Sequence, residues 1–438
     1  MSKQIHLAAH FPGVNNTTVW SDPQAGSQID FSSFRHLAET AERGTFDFFF
    51  LAEGLRLREV KGKIHDIDVV GRPESLTVLS ALAAVTTHLG LAATVNSTFN
   101  EPYELAKRLS TLDHLSGGRA AWNVVTSWDA FTGENFRRGG YLDKADRYVR
   151  AQESLRIVRK LWDSWSEDQL VLDQATGAFA REGAGAFADE GAHFDIRGQF
   201  GLPPSPQGRP VIIQAGDSDQ GREFAASDAD VIFSRHGTFE AGKTFYKDVK
   251  SRLSKYGRTE DSLKIMPAVT VVVADTDDEA VDKAAYIREQ QVSGPTALVL
   301  AELLWGRDLS AYDPDGPLPA EDPVVGSSVT QGRVGYNDPF PIVAEWRAQA
   351  EAHGWSLRQT VINQQNRQTF IGSPATVAEA INHHVQEDAA DGFVLVPHLT
   401  PSGLDDFVDR VVPLLRDRGV FRQEYAGTTL RSNLGLQV

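Results

Sequence analysis

The stretch of this chain best suited to chemistry is Val211-Ile-Ile-Gln-Ala-Gly-Asp-Ser-Asp-Gln-Gly-Arg-Glu-Phe-Ala225. An apolar strand runs into Gly216, a polar turn holds Ser218, and Gly221 sits where a helix begins. Backbone N–H groups at such a helix start, together with a small hydroxyl, form a phosphate cradle. A plain βα loop with Ser218 as N-cap accounts for the same spacing equally well. Asp143-Lys-Ala-Asp-Arg-Tyr148 is a second candidate. Asp143 can cap a helix, and Lys144 and Tyr148, four residues apart, share one face of it. A cation and a phenol near a helix start suit a phosphate monoester, although a solvated Lys beside a half-buried Tyr is the simpler account of the pair alone.

A third group lies just beyond apolar runs. Glu53 follows Phe46–Ala52, Asn96-Ser97-Thr98 follows the strand that starts at Leu89, and Asn123, Thr126 and Trp128 end the run from Ala120. In a parallel barrel all of these positions face one mouth. Each one can also merely satisfy backbone groups, so their convergence carries the argument. Among the histidines, His6 and His10 show H-x-x-x-H spacing, but on a strand they stand about 13 Å apart and cannot share a metal. His10, near the end of its strand, can face the mouth as a proton donor or serve a structural hydrogen bond. The adjacent His383 and His384 read as surface residues. H-x-H, H-E-x-x-H and G-x-S-x-G are all missing, which gives no support to a metal-dependent or serine hydrolase. No metal site is expected.

Composition narrows the classes further. The 438 residues carry 43 basic and 59 acidic side chains, a net charge of −16 that opposes binding to nucleic acid or an anionic membrane surface. There is no cysteine, so disulfides, thiolate metal sites and cysteine nucleophiles drop out. The N-terminus lacks the apolar run of a signal peptide and no window reaches the length of a membrane span, so a cytoplasmic protein is expected.

The elements that must hold these residues alternate along the chain. Apolar runs at Ile5–Phe11, Phe46–Ala52, Leu89–Val95, Ala120–Thr126, Val211–Ala215, Asp230–Ser234, Lys264–Ala274 and Phe393–Val396 lack polar alternation, as do parallel strands covered on both faces. Helix signals separate them. Asn100 caps a helix with Pro102 in its first turn and Leu105, Leu109, Leu112 and Leu115 on its buried face. Thr276 and Glu279 form a capping box. Ser373-Pro374 opens another helix, and Pro413 kinks the last one. Eight strands with interleaved helices predict an α/β fold, a single (β/α)8 TIM barrel over residues 1–438.

Two insertions break the rhythm, at about 166–208 and 291–345. The first contains a tandem octapeptide, Gly177–Ala184 then Gly185–Ala192, which reads as a loop duplication. Its GAGAFA matches the dinucleotide pattern G-x-G-x-x-A by chance, since no strand–helix context surrounds it. Within the second, residues 307–341 carry six prolines among acidic residues and glycines, and read as a lid or a packing arm beside the mouth.

Several runs resemble the bacterial-luciferase-like flavin monooxygenase superfamily, and within it the nitrilotriacetate and dibenzothiophene-sulfone monooxygenase group. They are Phe48-Phe-Phe-Leu-Ala-Glu53, Asn100-Glu-Pro-Tyr-Glu-Leu-Ala106, Leu112-Asp-His-Leu-Ser-Gly-Gly-Arg119, Trp122-Asn-Val-Val-Thr-Ser127, Gln214-Ala-Gly-Asp-Ser218 and Glu424-Tyr-Ala-Gly-Thr-Thr-Leu430. The resemblance implies a luciferase-like barrel with insertions that uses reduced FMN and O2 to insert one oxygen atom into a small organic substrate. It implies a separate NAD(P)H:flavin reductase as partner and a homodimer or homotetramer. It places flavin contacts at Glu53, Ser97 or Thr98, Thr126, Lys144, Tyr148 and Ser218. Glu53 stands where the family usually has Asp, and Lys144 where it often has His; Lys can still neutralise phosphate as a point charge. Phe11 and Trp128 are candidates to wall the flavin, with core packing as the other account. A deazaflavin-dependent oxidoreductase of the same superfamily and a flavin-binding protein without turnover are the competing readings.

Overall fold

The computed structural model describes residues 2–13, 17–57, 59–60, 63–64, 72–127, 130–136, 146–325, 330–331, 338–365 and 368–437. Eight parallel strands close into a barrel: β1 His6–Phe11, β2 Phe48–Leu51, β3 Gly90–Asn96, β4 Ala120–Val125, β5 Val211–Gln214, β6 Val231–Ser234, β7 Lys264–Val273 and β8 Gly392–Leu395. Their order around the barrel follows the sequence, closed by β6–β7, β7–β8 and β8–β1 pairing. Each expected strand is present with ends within a residue or two, because burial on both faces leaves a continuous apolar run. The far end of β7 leaves the barrel and pairs with an extra strand at Gln368–Gly372.

Helices α1 Phe31–Arg43, α2 Ser75–Ala83, α3 Pro102–Leu115, α4 Asp146–Trp162, α5 Asp219–Asp228 and α6 Phe239–Leu253 follow the first six strands. Alternate strand residues divide between two apolar layers. Leu7, Ala9 and Phe11 face outward against helices, while Ala8, Phe48, Phe50, Ala92, Ala121, Ile213 and Met266 fill the lumen. Phe11 therefore stacks on Phe34 of α1, with ring centroids 4.1 Å apart, and does not wall the mouth. Trp128 lies outside the described residues.

The Thr276–Glu279 capping box and the Ser373 N-cap form as expected, and the last helix is divided at Val411, just before Pro413. Asn100 is not the cap of α3. Its amide donates to Asn96 O at 2.8 Å and its carbonyl accepts from Arg108, so it ties the helix back to β3. Leu115 is exposed, not buried. His384 is half-buried against Phe239, Phe370 and Phe393, and only His383 is a surface residue.

The duplicated octapeptide is a duplicated strand, not a loop. Ala178–Ala180 pairs with Leu170–Asp173, and Ala186–Glu190 pairs with Asp195–Gln199. Gly177 and Gly185, the first residue of each copy, both have φ near +70°, a backbone conformation that favours glycine. In the second insertion and the stretch that follows it, helices Gly294–Trp305, Phe340–His353 and Leu357–Gln364 share a small apolar core of their own. Residues 306–325 pack on it: Trp305 Nε1 donates to Glu321 O, and Arg347 Nη2 donates to the carbonyls of Pro319, Ala320 and Glu321. This part is a packing arm. Thr330–Gln331 then pairs antiparallel with Glu59–Val60 in the loop after β2, on the mouth side of the barrel.

The lower end of the barrel is plugged by the C-terminal tail. Leu430, Leu434 and Leu436 enter the lumen cluster, Leu430 N donates to Gly118 O, and Arg431 pairs with Asp230 at the foot of β6. Arg119 is buried beside this plug, where it donates to Ser116 O, Thr86 Oγ1, Leu89 O, Ala83 O and Thr86 O. The Leu112–Arg119 motif is thus a clasp at the barrel foot. Among the described residues no helix is long and apolar enough to cross a membrane.

Candidate active site

The open end of the barrel collects the polar residues that follow the strands. Phe50 of β2 and Phe233 of β6 stack across the lumen, centroids 5.2 Å apart and nearly parallel, and form its floor. His10 points inward from β1 and stands edge-on to Phe50 at 5.3 Å. Neither of its buried ring nitrogens has a hydrogen-bond partner among the described residues. Burial, and then the charge of Arg72, push its pKa down to about 3. The ring is neutral at ordinary pH, so a proton-donor role as imidazolium finds no support in this electrostatics. His6 lies at the other end of β1 beside Asp47, and no metal-binding group of three or more His, Asp or Glu occurs among the described residues.

Glu53, two residues past β2, is half-buried and accepts from Asn96 N at 3.1 Å and Asn96 Nδ2 at 3.2 Å. Burial raises its pKa to about 7 against the opposing pull of those donors. Asn96, the last residue of β3, uses its own Oδ1 to accept from Thr98 N and Phe99 N, which turns the chain away from the strand. Ser97 Oγ donates to Val125 O, and Thr98 Oγ1 accepts from Ser127 N at 3.0 Å. These hydroxyls lock the ends of β3 and β4 together and leave Thr126 half-buried between their contacts. Below them Asn123 Nδ2 donates to Thr94 Oγ1, while Asn123 Oδ1 is buried without a partner among the described residues.

Across the mouth, the turn after β5 is tight. A Cβ on Gly216 would stand 2.2 Å from Gln214 Nε2 and 2.9 Å from Gly221 Cα, so only glycine allows the loop to close on the helix start. Ser218 caps α5 by accepting from Gly221 N at 3.1 Å. Its hydroxyl also lies 3.3 Å from Tyr148 OH on α4. Ser218 is thus the N-cap of α5 and also one member of a hydroxyl pair contributed by two helices. Lys144 lies outside the described residues. Next to Tyr148, Arg147 lays its guanidinium over the phenol ring, 4.8 Å from the ring centroid. Its charge was present in the Asp-Arg-Tyr run, but only the helix geometry shows where it lands. Asp217 is held by His236 at 2.7 Å and by Arg222. Burial pushes it up, and these two partners outweigh burial and keep it below the usual carboxylate range.

A second group missed by the sequence is Arg72, which donates to Pro12 O at 2.6 Å and Glu53 O at 3.3 Å and so bridges the ends of β1 and β2. The structure brings Tyr148 and Ser218 together on one side, and joins Glu53 to Asn96 and the β3–β4 hydroxyls on the other. Such a mouth can take an elongated ligand with an anionic end.

The luciferase-like monooxygenase family model matches residues 13–392. The chain belongs to the luciferase-like monooxygenase family. Among curated proteins, this monooxygenase is 39% identical to nitrilotriacetate monooxygenase component A of Aminobacter aminovorans, covering 95% of this chain and 93% of the relative. It is 36% identical to dibenzothiophene-sulfone monooxygenase of Rhodococcus erythropolis (strain XP), covering 100% and 97%. Among solved structures, it superposes on riboflavin lyase, determined with modified FMN and the substrate riboflavin, with TM-score 0.80 and 30% identity over 100% of this chain and 97% of that one.

Proposed function

We propose that this monooxygenase uses reduced FMN delivered by a separate NAD(P)H:flavin reductase and transfers one oxygen atom of O2 to a small organic substrate. The observation that carries the reading is the Tyr148–Ser218 hydroxyl pair at the start of α5, with Arg147 over the phenol. Two hydroxyls, the first backbone N–H groups of a helix and a cation suit a terminal phosphate. The Gly216 turn supports the fit, because a Cβ there would collide with Gln214 and Gly221 and push the loop off the helix start that offers those N–H groups. Bound FMN would supply the oxygen chemistry, which is the cofactor's own.

The chain's residues bind, orient and exclude water. Ser218 and Tyr148 anchor the phosphate end, with Lys144 as an additional cation. Glu53, Ser97 or Thr98, and Thr126 border the ring end at the tips of β2, β3 and β4. Glu53, with a pKa of about 7, holds a proton at its carboxyl for much of the time near neutrality. It can donate that proton to a polar ligand atom as readily as it accepts one. The Phe50–Phe233 floor keeps the space beneath apolar.

The test uses the purified protein with NADH, FMN and an unrelated flavin reductase. Without the reductase, no catalytic NADH oxidation is expected; with it, the protein should bind the flavin reduced elsewhere. NADH oxidation by the protein alone would replace the two-component reading with a self-contained one. Absence of FMN binding in a fluorescence titration would remove the cofactor assignment.

A further inference from the structure

The lumen holds polar atoms that the flavin reading does not use. Each proposed flavin contact within the barrel strand series lies beyond a strand's last residue: Glu53 past β2, Ser97 and Thr98 past β3, Thr126 past β4 and Ser218 past β5. His10 and Asn123 instead lie inside β1 and β4. Apart from Thr94, which bonds Asn123, and Arg72, whose charge is felt at His10, the wall around them is apolar, made of Phe50, Phe233, Ala92, Ala121 and Ile213. A buried polar atom without a partner costs free energy that an apolar residue would not. Yet both nitrogens of His10 and Oδ1 of Asn123 stand in that state.

The inventory of these atoms sets the chemistry of what would satisfy them. A neutral imidazole offers one N–H and one lone pair. Asn123 gives one N–H of its amide to Thr94 Oγ1 at 3.0 Å, and its carbonyl oxygen is left without a donor. Two buried acceptors, one on each side chain, therefore lack a donor. An ionised carboxylate, which only accepts, would leave both acceptors unpaired; a hydroxyl, amine or amide N–H satisfies them. The stacked phenyl floor beside His10 suits a flat apolar body attached to that group.

We propose that His10, with Asn123, is a specificity-determining residue, whose imidazole hydrogen-bonds an uncharged N–H or O–H group that the substrate directs into the lumen. The assignment rests on the mouth being the monooxygenase site, but it concerns the empty-handed protein's own atoms and is testable without flavin. The probes are phenol, which carries an O–H, and anisole, which has nearly the same body and none. Ligand-observed NMR titration of the flavin-free protein should show phenol binding about tenfold tighter than anisole, the range for one satisfied bond in a buried site. His10→Phe, which keeps an aromatic ring against Phe50, should erase the preference; His10→Gln, which keeps a donor and an acceptor, should retain most of it. Removing an unpaired polar ring should leave the melting temperature of His10→Phe equal to or above that of the parent, and His10→Leu serves if His10→Phe does not fold. Equal binding of phenol and anisole to the parent overturns the proposal, as does a preference that survives in His10→Phe or His10→Leu. FMN affinity is measured in parallel. A tenfold loss in His10→Phe would assign the imidazole to the flavin and overturn the substrate role. FMN that fails to bind even the parent would refute the flavin reading while leaving the phenol result to stand or fall by itself.

Discussion

Replacing Glu53 with Gln should stabilise this protein above neutral pH and leave it unchanged in acid. Glu53 is half-buried, and desolvation raises its pKa from an ordinary 4.5 to about 7. Below pH 4.5 the carboxyl is protonated in both folded and unfolded chains, and burial exacts no charge penalty. Between pH 4.5 and about 7 the folded state keeps a proton that the unfolded state has released, so stability falls as pH rises. Above pH 7 both states are ionised and the full penalty is present, about 3 kcal/mol by the usual conversion. Glu53→Gln removes the charge but keeps an oxygen to accept from Asn96 N and Nδ2. Glu53→Ala would be a poor probe, since it strands those donors. The difference between Glu53→Gln and the parent should therefore grow from near zero at pH 4 to about 3 kcal/mol at pH 8. For a chain this long that is a melting shift of roughly 2–4 °C. Asp113, also raised by burial, to about 6, adds a slope of the same sign to both proteins and cancels in the difference. Urea unfolding at a series of pH values reads the effect. Parallel curves for the two proteins between pH 5 and 8 would show that Glu53 is not held in a desolvated site.

Three further outcomes are expected. Ser218→Asp should weaken FMN binding at least tenfold in a fluorescence titration, by like-charge repulsion and a lost hydrogen bond, while Tyr148→Phe costs less and Lys144→Glu more than Tyr148→Phe; negligible effects from all three would move the phosphate elsewhere. Arg119→Met should destabilise the fold by about 3 kcal/mol or more, because it strands five hydrogen-bond acceptors at the barrel foot, with FMN affinity of the folded fraction unchanged; denaturant midpoints check it. Flavin and a bound substrate should slow amide exchange around the Glu59–Val60 and Thr330–Gln331 pairing, and slow it less in residues 306–325, where packing already holds the backbone; uniform exchange with and without ligand would make the whole insertion a passive one.

The barrel was legible because burial on both faces writes itself into consecutive residues: Val211–Gln214 and Phe48–Leu51 can be read as strands with no knowledge of their neighbours. The hairpins at 170–199 were not legible. Their strands are three to five residues long, and the burial alternates or is slight, so the Gly-Ala repeat outweighed any strand pattern. Helix caps divided the same way. Thr276 and Glu279 carry their own partners within four residues and were read correctly, whereas Asn100 bonds to Asn96 and Arg108 because the β3 turn places them there.

The site was legible as a set of positions and illegible as a set of interactions, and the reason is the same in each case. Strand ends in a parallel barrel converge by topology, so Glu53, Asn96, Thr126 and Ser218 could be placed at one mouth from sequence order alone. What each group does depends on the partner that arrives from another strand or helix. Tyr148 meets Ser218 across seventy residues, Arg72 reaches both Pro12 and Glu53, and Asn123 gives its amide to Thr94. Conversely, the Leu112–Arg119 run that carried much of the family resemblance touches no candidate ligand group. Its Gly118 is held at φ +90° against Gln207 and Thr429, its Asp113 binds Ser205 and Gln207, and its Arg119 fastens α2 to β3. The motifs of this chain therefore serve two separate demands: the mouth, where polar groups from several strand ends converge, and the foot, where the C-terminal tail closes the barrel. His10 belongs to neither set: its ring nitrogens bond no described residue of the mouth or the foot, and this is why the proposed substrate contact is placed on it.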